Sequence, residues 1–163
     1  MAPRRIIVLG CAGAGKTTFA RRLSQKLGAS LVCLDDHWRS EWGPDDLPAF
    51  RQLVILAHAE ETWVSDGNFA TATFDLRLPR ADLIVWMERP RWLCLWRAAQ
   101  RTRRPGEPHQ GRDLWKVLRF IWGFHRKNRP MIERLRMEIA PLVAVVHLTS
   151  DAESDRFLHG LVD

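Results

Sequence analysis

Cysteine is scarce in this 163-residue chain: Cys11, Cys33 and Cys94 are odd in number and far apart. That usage excludes a disulfide framework and a cysteine-built zinc site, and it fits a reducing compartment such as the cytosol. Long hydrophobic runs are also missing. Runs such as Ile6 to Leu9 and Leu83 to Met87 are strand-sized, far short of the roughly 20 residues that cross a bilayer, so no membrane span is expected. Arg4 and Arg5 precede the first of them, but it ends in a glycine loop without a small-residue cleavage site; it reads as a first strand and not as a signal peptide. The six histidines form no metal-ligand spacing. There is no N-K-x-D guanine signature, no internal repeat and no low-complexity tract, which argues against a GTPase and against a repeat architecture.

Acidic residues are almost absent from one stretch. Residues 89 to 136 hold fourteen Lys/Arg against three Asp/Glu, a local excess of +11 in a chain whose total is +6. Such a field attracts nucleic acid, and it equally suits a phosphate-rich small substrate under an arginine-bearing lid. The apolar and charged fractions, 46% and 27%, are those of an ordinary globular protein, and the length suits a single domain over 1–163.

Apolar runs alternate with helical periods along the chain, the pattern of an α/β protein with a parallel sheet flanked by helices. Five strands are expected: Arg5 to Leu9, Leu31 to Leu34, Thr62 to Ser65, Asp82 to Met87 and Leu142 to Leu148. Phe19, Leu23 and Leu27 recur at helical spacing with Gly28 placed as C-cap. Pro48 suits the first turn of a helix to about Glu61, with Leu53, Leu56 and Ala57 on its buried side. A short helix is assigned within Asn68 to Arg80, and another starts at Pro90 and carries Trp92 and Trp96. After a break at Pro105 to Gly111, Asp113 can cap a helix with the stripe Leu114, Val117, Leu118 and Ile121, which Pro130 should kink or interrupt. Ser150 or Asp151 can cap the last helix. Trp86, Trp92, Trp96, Trp115 and Trp122 fall on strand or helix positions and are expected in the core, although tryptophan and arginine interleaved from Arg89 to Arg101 could also stack on single-stranded nucleic acid.

Gly10-Cys11-Ala12-Gly13-Ala14-Gly15-Lys16-Thr17 satisfies G-x-x-x-x-G-K-[ST] directly between a strand and a helix. The glycines let the backbone curl so that consecutive N–H groups face a polyphosphate, and the helix N-terminus adds its dipole. The expected ATP site therefore comprises Gly10, Ala12, Gly13, Ala14, Gly15, Lys16, Thr17 and Thr18. Lys16 should reach the β- and γ-phosphates, Thr17 should offer a hydroxyl to Mg2+, and Thr18 should touch the α-phosphate. Cys11 contributes its backbone rather than its thiol.

Ligands of open parallel sheets sit outside the carboxyl ends of the strands, where Asp35, Asp36 and Asp66 all fall. Asp66 is the candidate for the magnesium shell, together with Thr17, or for acceptor recognition. Asp35 or Asp36 is the candidate base for an attacking hydroxyl, with a turn or cap aspartate as the plainer reading; His37 beside them could assist. Arg97 and Arg101 share a helical face, and with Arg103 and Arg104 they form an arginine-rich lid at roughly 97–113 that would neutralise the transferring phosphoryl group. Trp38, Trp42 and Phe50 could line an aromatic acceptor pocket.

With GCAGAGKTT from Gly10, LDDHW from Leu34, VSDGNF from Val64 and RLPRADLIVWMERPRWLCLWR from Arg77, the chain resembles the adenylate-kinase-like group of P-loop nucleotide and small-molecule kinases. The likeness is greatest to bacterial adenylate kinase-related, FlaR-like DNA topology modulation proteins, and it spans nearly the whole chain. The resemblance implies a P-loop NTPase fold with five parallel strands, an acceptor-binding segment after the second strand and an arginine lid after the fourth. It implies transfer of the γ-phosphate of ATP-Mg to a small acceptor. Adenylate kinases read D-G-F-P-R after the third strand, whereas this chain reads Asp66-Gly67-Asn68-Phe69-Ala70. The arginine that grips a nucleoside monophosphate is missing there, and Arg77 is the nearest substitute. The alternative function is a nucleotide-dependent regulatory ATPase that binds nucleic acid through residues 89–136.

Overall fold

The computed structural model describes residues 3–38, 42–102 and 114–161. Five strands, β1 (Arg5–Gly10), β2 (Ser30–Cys33), β3 (Trp63–Asp66), β4 (Leu83–Met87) and β5 (Ala144–Leu148), form one parallel sheet in the order β2-β3-β1-β4-β5. Because β1, β3 and β4 are central, both their faces are covered, and they read as continuous apolar runs: Ile6 to Leu9, Val64 and Ile84 to Met87 are all buried. The register aligns Val8 and Cys33 with Asp66, and Gly10 with Met87, so the carboxyl ends of four strands open onto one edge.

The helices cover the two faces: α1 (Lys16–Leu27), α2 (Leu34–His37), α3 (Leu47–Ala57), α4 (Ala70–Arg77), α5 (Arg91–Thr102), α6 (Leu114–Ile139) and α7 (Asp151–Gly160). Gly28 ends α1 in the left-handed region with φ 59°, and the amide of Ala29 reaches the carbonyl of Ser24 at 2.9 Å, the expected glycine stop. Ser150, not Asp151, caps α7 by accepting the Glu153 amide at 3.1 Å. Asp151 is occupied with two arginines instead.

Several sequence expectations shift. β2 closes one residue earlier than expected, at Cys33, and Asp35 and Asp36 beyond it sit on α2, a single turn in which Leu34 drops into the core and accepts the Trp38 amide. The buried side of α3 is Phe50, Val54 and the His58 that follows, not Leu53 and Leu56. An unbroken apolar run from Leu53 to Ala57 carries no phase, and the phase is set by Arg51, whose guanidinium grips Asp75 of α4. Pro130 does not interrupt α6, which runs through it as one 26-residue helix; an exposed proline removes one helical hydrogen bond and leaves the rest. Residue 113 and the Pro105-to-Gly111 break lie outside the described residues.

The larger correction concerns tryptophan. Trp86 is core, but Trp92, Trp96, Trp115 and Trp122 are 69%, 53%, 79% and 65% exposed. Helices α5 and α6 pack against each other, and their buried side chains are Cys94, Ala98, Ile121, Phe124 and Ile132. Each helix thus carries two apolar stripes, and the smaller side chains, which allow close approach, face inward.

A buried polar network fastens the sheet to α4. His58 is buried, with Nδ1 against the Val54 carbonyl at 2.7 Å and Nε2 against Ser65 Oγ at 2.9 Å; its ring meets Trp63 edge-on at 4.7 Å. Burial pulls its pKa down from 6.5 to about 4, the nearby Arg77 and Arg80 adding to the effect. As pH falls the unfolded chain therefore takes up the proton first, so the stability held by neutral His58 is complete above about pH 6.5 and is lost towards pH 4. Urea unfolding should register a loss of up to about 3 kcal/mol across that window. In His58→Gln that segment of the profile should be clearly shallower, the residual slope coming from His125 and from carboxylates such as Asp75 and Asp151, and a wild-type slope in the variant would contradict this origin.

Candidate functional site

The turn from β1 into α1 needs glycine at two crowded points. Gly10 has φ +145°, and a Cβ there would lie 2.5 Å from the Met87 carbonyl oxygen; Gly13 has φ +81°, and a Cβ would collide with the Cys94 backbone of α5. The phosphate-type loop is thus wedged between the sheet and α5, and glycine is what lets it pass.

Side chains then pin the loop. The carboxamide of Asn68 accepts the Gly10 N–H at 3.1 Å and donates to the Gly10 carbonyl at 2.9 Å. Lys16 Nζ donates to the Cys11 carbonyl at 3.0 Å, and the Ala14 N–H donates to the same oxygen at 3.1 Å. Of the eight residues expected in the phosphate cradle, Gly10 and Ala14 have amides engaged within the protein. The amides of Ala12, Gly13, Gly15, Lys16, Thr17 and Thr18 remain as candidate donors, the last three being first-turn amides of α1 that a helix cannot satisfy by itself.

Thr17 and Asp66, paired from the sequence as magnesium ligands, meet: Thr17 Oγ1 donates to Asp66 Oδ2 at 2.5 Å. The other carboxylate oxygen, Oδ1, is buried and finds no hydrogen-bond partner among the described residues. Burial pushes the Asp66 carboxyl up, Lys16 and Thr17 pull it down, and Asp35 and Asp36 push it up again, so the three strand-end acids sense one another. An orphaned buried oxygen costs about 1–3 kcal/mol, more for a charged group, and a cation would relieve it. Among the described residues no three His, Cys, Asp or Glu are grouped as a metal cage. Mg2+ needs none: one or two protein oxygens plus substrate phosphates suffice, so Thr17 and Asp66 fit it.

Arg97 reaches the same place from α5. A Cβ added at Gly15 would meet Arg97 Nη1 at 3.6 Å, while Nη2 of Arg97 donates to Asp151 at 2.7 Å. Asp151 is itself held by Arg89, whose buried guanidinium also donates to the Leu148 carbonyl at 2.5 Å and to Ser154 Oγ at 2.9 Å. Arg101 lies one turn beyond Arg97 on the same face and is half-buried. Arg103, Arg104 and the remainder of the expected lid to residue 113 lie outside the described residues. The buried thiols of Cys11 and Cys94 influence each other: Cys94, with burial, raises Cys11, and Cys11 lowers Cys94, whose Sγ donates to the Arg89 carbonyl.

Arg77 does not substitute for the missing phosphate grip. It is fully buried and spends its donors on Thr73 Oγ1 at 3.0 Å, Ser65 Oγ at 3.0 Å, the Gly67 carbonyl at 3.2 Å and the Asn68 carbonyl at 2.6 Å. Burial draws its pKa down to about 9, opposed by Asp66, so it is still a cation at neutral pH. Its task is to hold the loop that carries Asn68. Phe69, next in that loop, stands at φ +35°, a left-handed conformation that costs a non-glycine residue on the order of 1 kcal/mol.

Phe69 also completes the aromatic group expected from Trp38, Trp42 and Phe50. Trp38 meets Phe50 at 5.1 Å, Trp42 at 5.8 Å and Phe69 at 6.2 Å, and Phe50 meets Phe69 at 5.1 Å. Phe50 is sealed in the core, whereas Trp38, Trp42 and Phe69 are half-buried. This wall stands beside exposed Asp35 and Asp36. Sequence reading missed Asn68, Phe69, Arg89 and Asp151. Of these Asn68 and Phe69 left a signal, at positions where the chain departs from D-G-F-P-R.

No protein-family model matches the sequence, and no curated protein does. Solved structures do resemble it. A shikimate kinase from Acinetobacter baumannii, in complex with shikimate, superposes with TM-score 0.61 at 19% identity over 98% of this chain and 90% of its own. A shikimate kinase from Bacteroides thetaiotaomicron gives TM-score 0.60 at 20% identity, covering 98% and 97%. At this identity the likeness carries the architecture: the chain has the P-loop NTPase fold, a five-stranded parallel sheet flanked by helices.

Proposed function

We propose that the chain is an ATP-dependent phosphotransferase acting on a small hydroxyl-bearing acceptor. The observation that carries this reading is the Thr17–Asp66 pair with its orphaned buried oxygen, set directly beneath a phosphate loop that Arg97 overlooks. Thr17 and Asp66 would hold Mg2+, which when bound would neutralise charge on the β- and γ-phosphates. The amides of Ala12, Gly13, Gly15, Lys16, Thr17 and Thr18 would bind the polyphosphate, and the Lys16 side chain, released from the Cys11 carbonyl, would follow the γ-phosphate. Arg97, oriented by Asp151, would stabilise charge on the transferring oxygens, with Arg101 entering from the next turn as the segment to residue 113 closes as a lid. Asp35 or Asp36 would accept the proton of the attacking hydroxyl.

A nucleoside monophosphate is disfavoured as acceptor. The one arginine near the β3–α4 loop in sequence, Arg77, is consumed inside the protein, and the wall it supports is aromatic. Trp38, Trp42 and Phe69 beside two carboxylates suit a ring bearing hydroxyl groups. Shikimate, the ligand of one structural neighbour, is of that kind and is the first acceptor to try. The narrower likeness to adenylate kinase-related proteins rests on the sequence segments from Gly10, Leu34, Val64 and Arg77.

A screen for transfer of radiolabelled γ-phosphate to shikimate, other polyols, nucleosides, nucleotides, sugars and aminoglycosides should label at least one acceptor. Label found only in inorganic phosphate would contradict the reading. Lys16→Ala should abolish transfer. Arg97→Ala should lower kcat by roughly 100- to 1000-fold while changing ATP affinity by less than about tenfold, and the reverse split would remove Arg97 from the chemistry.

Asn68→Ala frees both polar groups of Gly10 and should weaken Mg-ATP binding by roughly tenfold, the effect of removing one or two hydrogen bonds from a preorganised loop. Calorimetry checks it, and an unchanged Kd would mean that the loop holds its shape without the clip.

A further inference from the structure

Helices α5 and α6 turn a second chemistry outward, on the side away from the phosphate loop. We propose that this outer face binds single-stranded nucleic acid, independently of the phosphotransfer site. No Asp or Glu occurs in α5, and none in α6 before Glu133. Along α6, Trp115, Arg119, Trp122 and Arg126 follow one another at steps of four, three and four residues, so they form one stripe. Lys116, Phe120, Gly123 and Lys127 form the stripe beside it. Each aromatic residue has a cation within one turn, and Arg91 of α5 lies over the Trp122 ring at 5.8 Å.

Two shallow grooves of about 730 and 660 Å3 meet at Trp122, Lys116 and Arg119, and Leu95 of α5 and Leu118 of α6 add apolar lining to the larger. Trp92 and Trp96, both exposed, lie about 100° round α5 from Arg91 and Leu95 and extend the aromatic surface. Arg97, on the opposite flank of that helix, is the residue that turns to the phosphate loop.

Charge and shape select the occupant. A phosphate backbone meets the cations, and unpaired bases supply the flat faces that exposed indoles stack on, an arrangement tolerant of sequence. A duplex hides those faces. A second copy of the chain would bring the same positive field onto itself. Helices that lie in a bilayer surface segregate cations from aromatics on opposite flanks, whereas here they alternate within one stripe.

The test is fluorescence anisotropy of the full chain with a fluorescein-labelled, mixed-sequence DNA single strand about twenty nucleotides long, run as a salt series. Binding should weaken steeply with salt. Replacing Lys116, Arg119, Arg126 and Lys127 together by Ala should reduce the log–log salt slope by roughly 0.7 for each phosphate that is no longer neutralised. Trp122→Ala should weaken binding roughly tenfold and Trp122→Phe much less, as stacking requires, with circular dichroism checking that each variant is folded. Lys16→Ala should bind the strand as the wild type does while losing ATP, which separates this face from the phosphotransfer site. An absent salt-sensitive signal, equal affinity in Trp122→Ala, duplex binding as tight as single-strand binding, capture only by phosphatidylserine vesicles, or a dimer dissolved by Trp122→Ala would each overturn the proposal.

Discussion

The Gly10 peptide is held on both its polar groups by one side chain, the carboxamide of Asn68, and the site depends on that clip. β1 must leave the sheet at Gly10, where a side chain would strike Met87, and reach α1 by way of Gly13, where one would strike Cys94. Within those walls the backbone has little choice of path, and Asn68 fixes the peptide from which the path starts. The curl that results leaves the first amides of α1 without a side-chain cap, next to the Thr17–Asp66 pair. An anion-binding cradle and a cation-binding oxygen pair are consequences of the same constraint.

Two buried arginines carry the support outward. Arg77 binds the carbonyls of Gly67 and Asn68, so the clip is held in place by α4. Arg89 binds the Leu148 carbonyl and Asp151, and Asp151 in turn holds Arg97 over the loop. Both guanidiniums are buried, so neither adds an exposed cation to the surface, although Arg89 is one of the fourteen basic residues of the 89–136 stretch. Removing either would leave carbonyl and hydroxyl oxygens buried without donors, each a loss of about 1–3 kcal/mol. The strained φ of Phe69 lies between the clip and the aromatic wall, so a ring entering beside Trp38 would press on the same loop that anchors Gly10.

Much of this was legible in the sequence because it rests on local rules. The strand–loop–helix spelling from Arg5 to Leu27 located the cradle, and the alternation of apolar runs gave all five strands within a residue or two, with β5 shortened because Pro141 and Leu142 form a turn. The pairing of Thr17 with Asp66 followed from the loop motif, which puts a hydroxyl on the first turn of α1, and from the place of Asp66 at the end of β3. What was not legible depends on the phase of apolar helices and on distant polar partners. α3 is apolar nearly all round, so its buried side was set by Arg51 reaching Asp75, a contact without periodicity. The tryptophans of α5 and α6 were expected inside because bulk usually means burial, yet the buried positions of these helices are taken by Cys94, Ala98, Ile121, Phe124 and Ile132. Ser65 meets His58 from seven residues away and Arg77 from twelve, and nothing in their neighbours announces it.

The central claim, that the curl from Gly10 to Thr17 clasps a polyphosphate with Asp66 and Thr17 holding its metal, is tested most directly by calorimetric titration of the full chain with ATP, with and without Mg2+. The account predicts one site per chain, bound more tightly when Mg2+ is present, with that gain abolished in Asp66→Ala. Absence of binding heat, or a magnesium effect that survives Asp66→Ala undiminished, would contradict it.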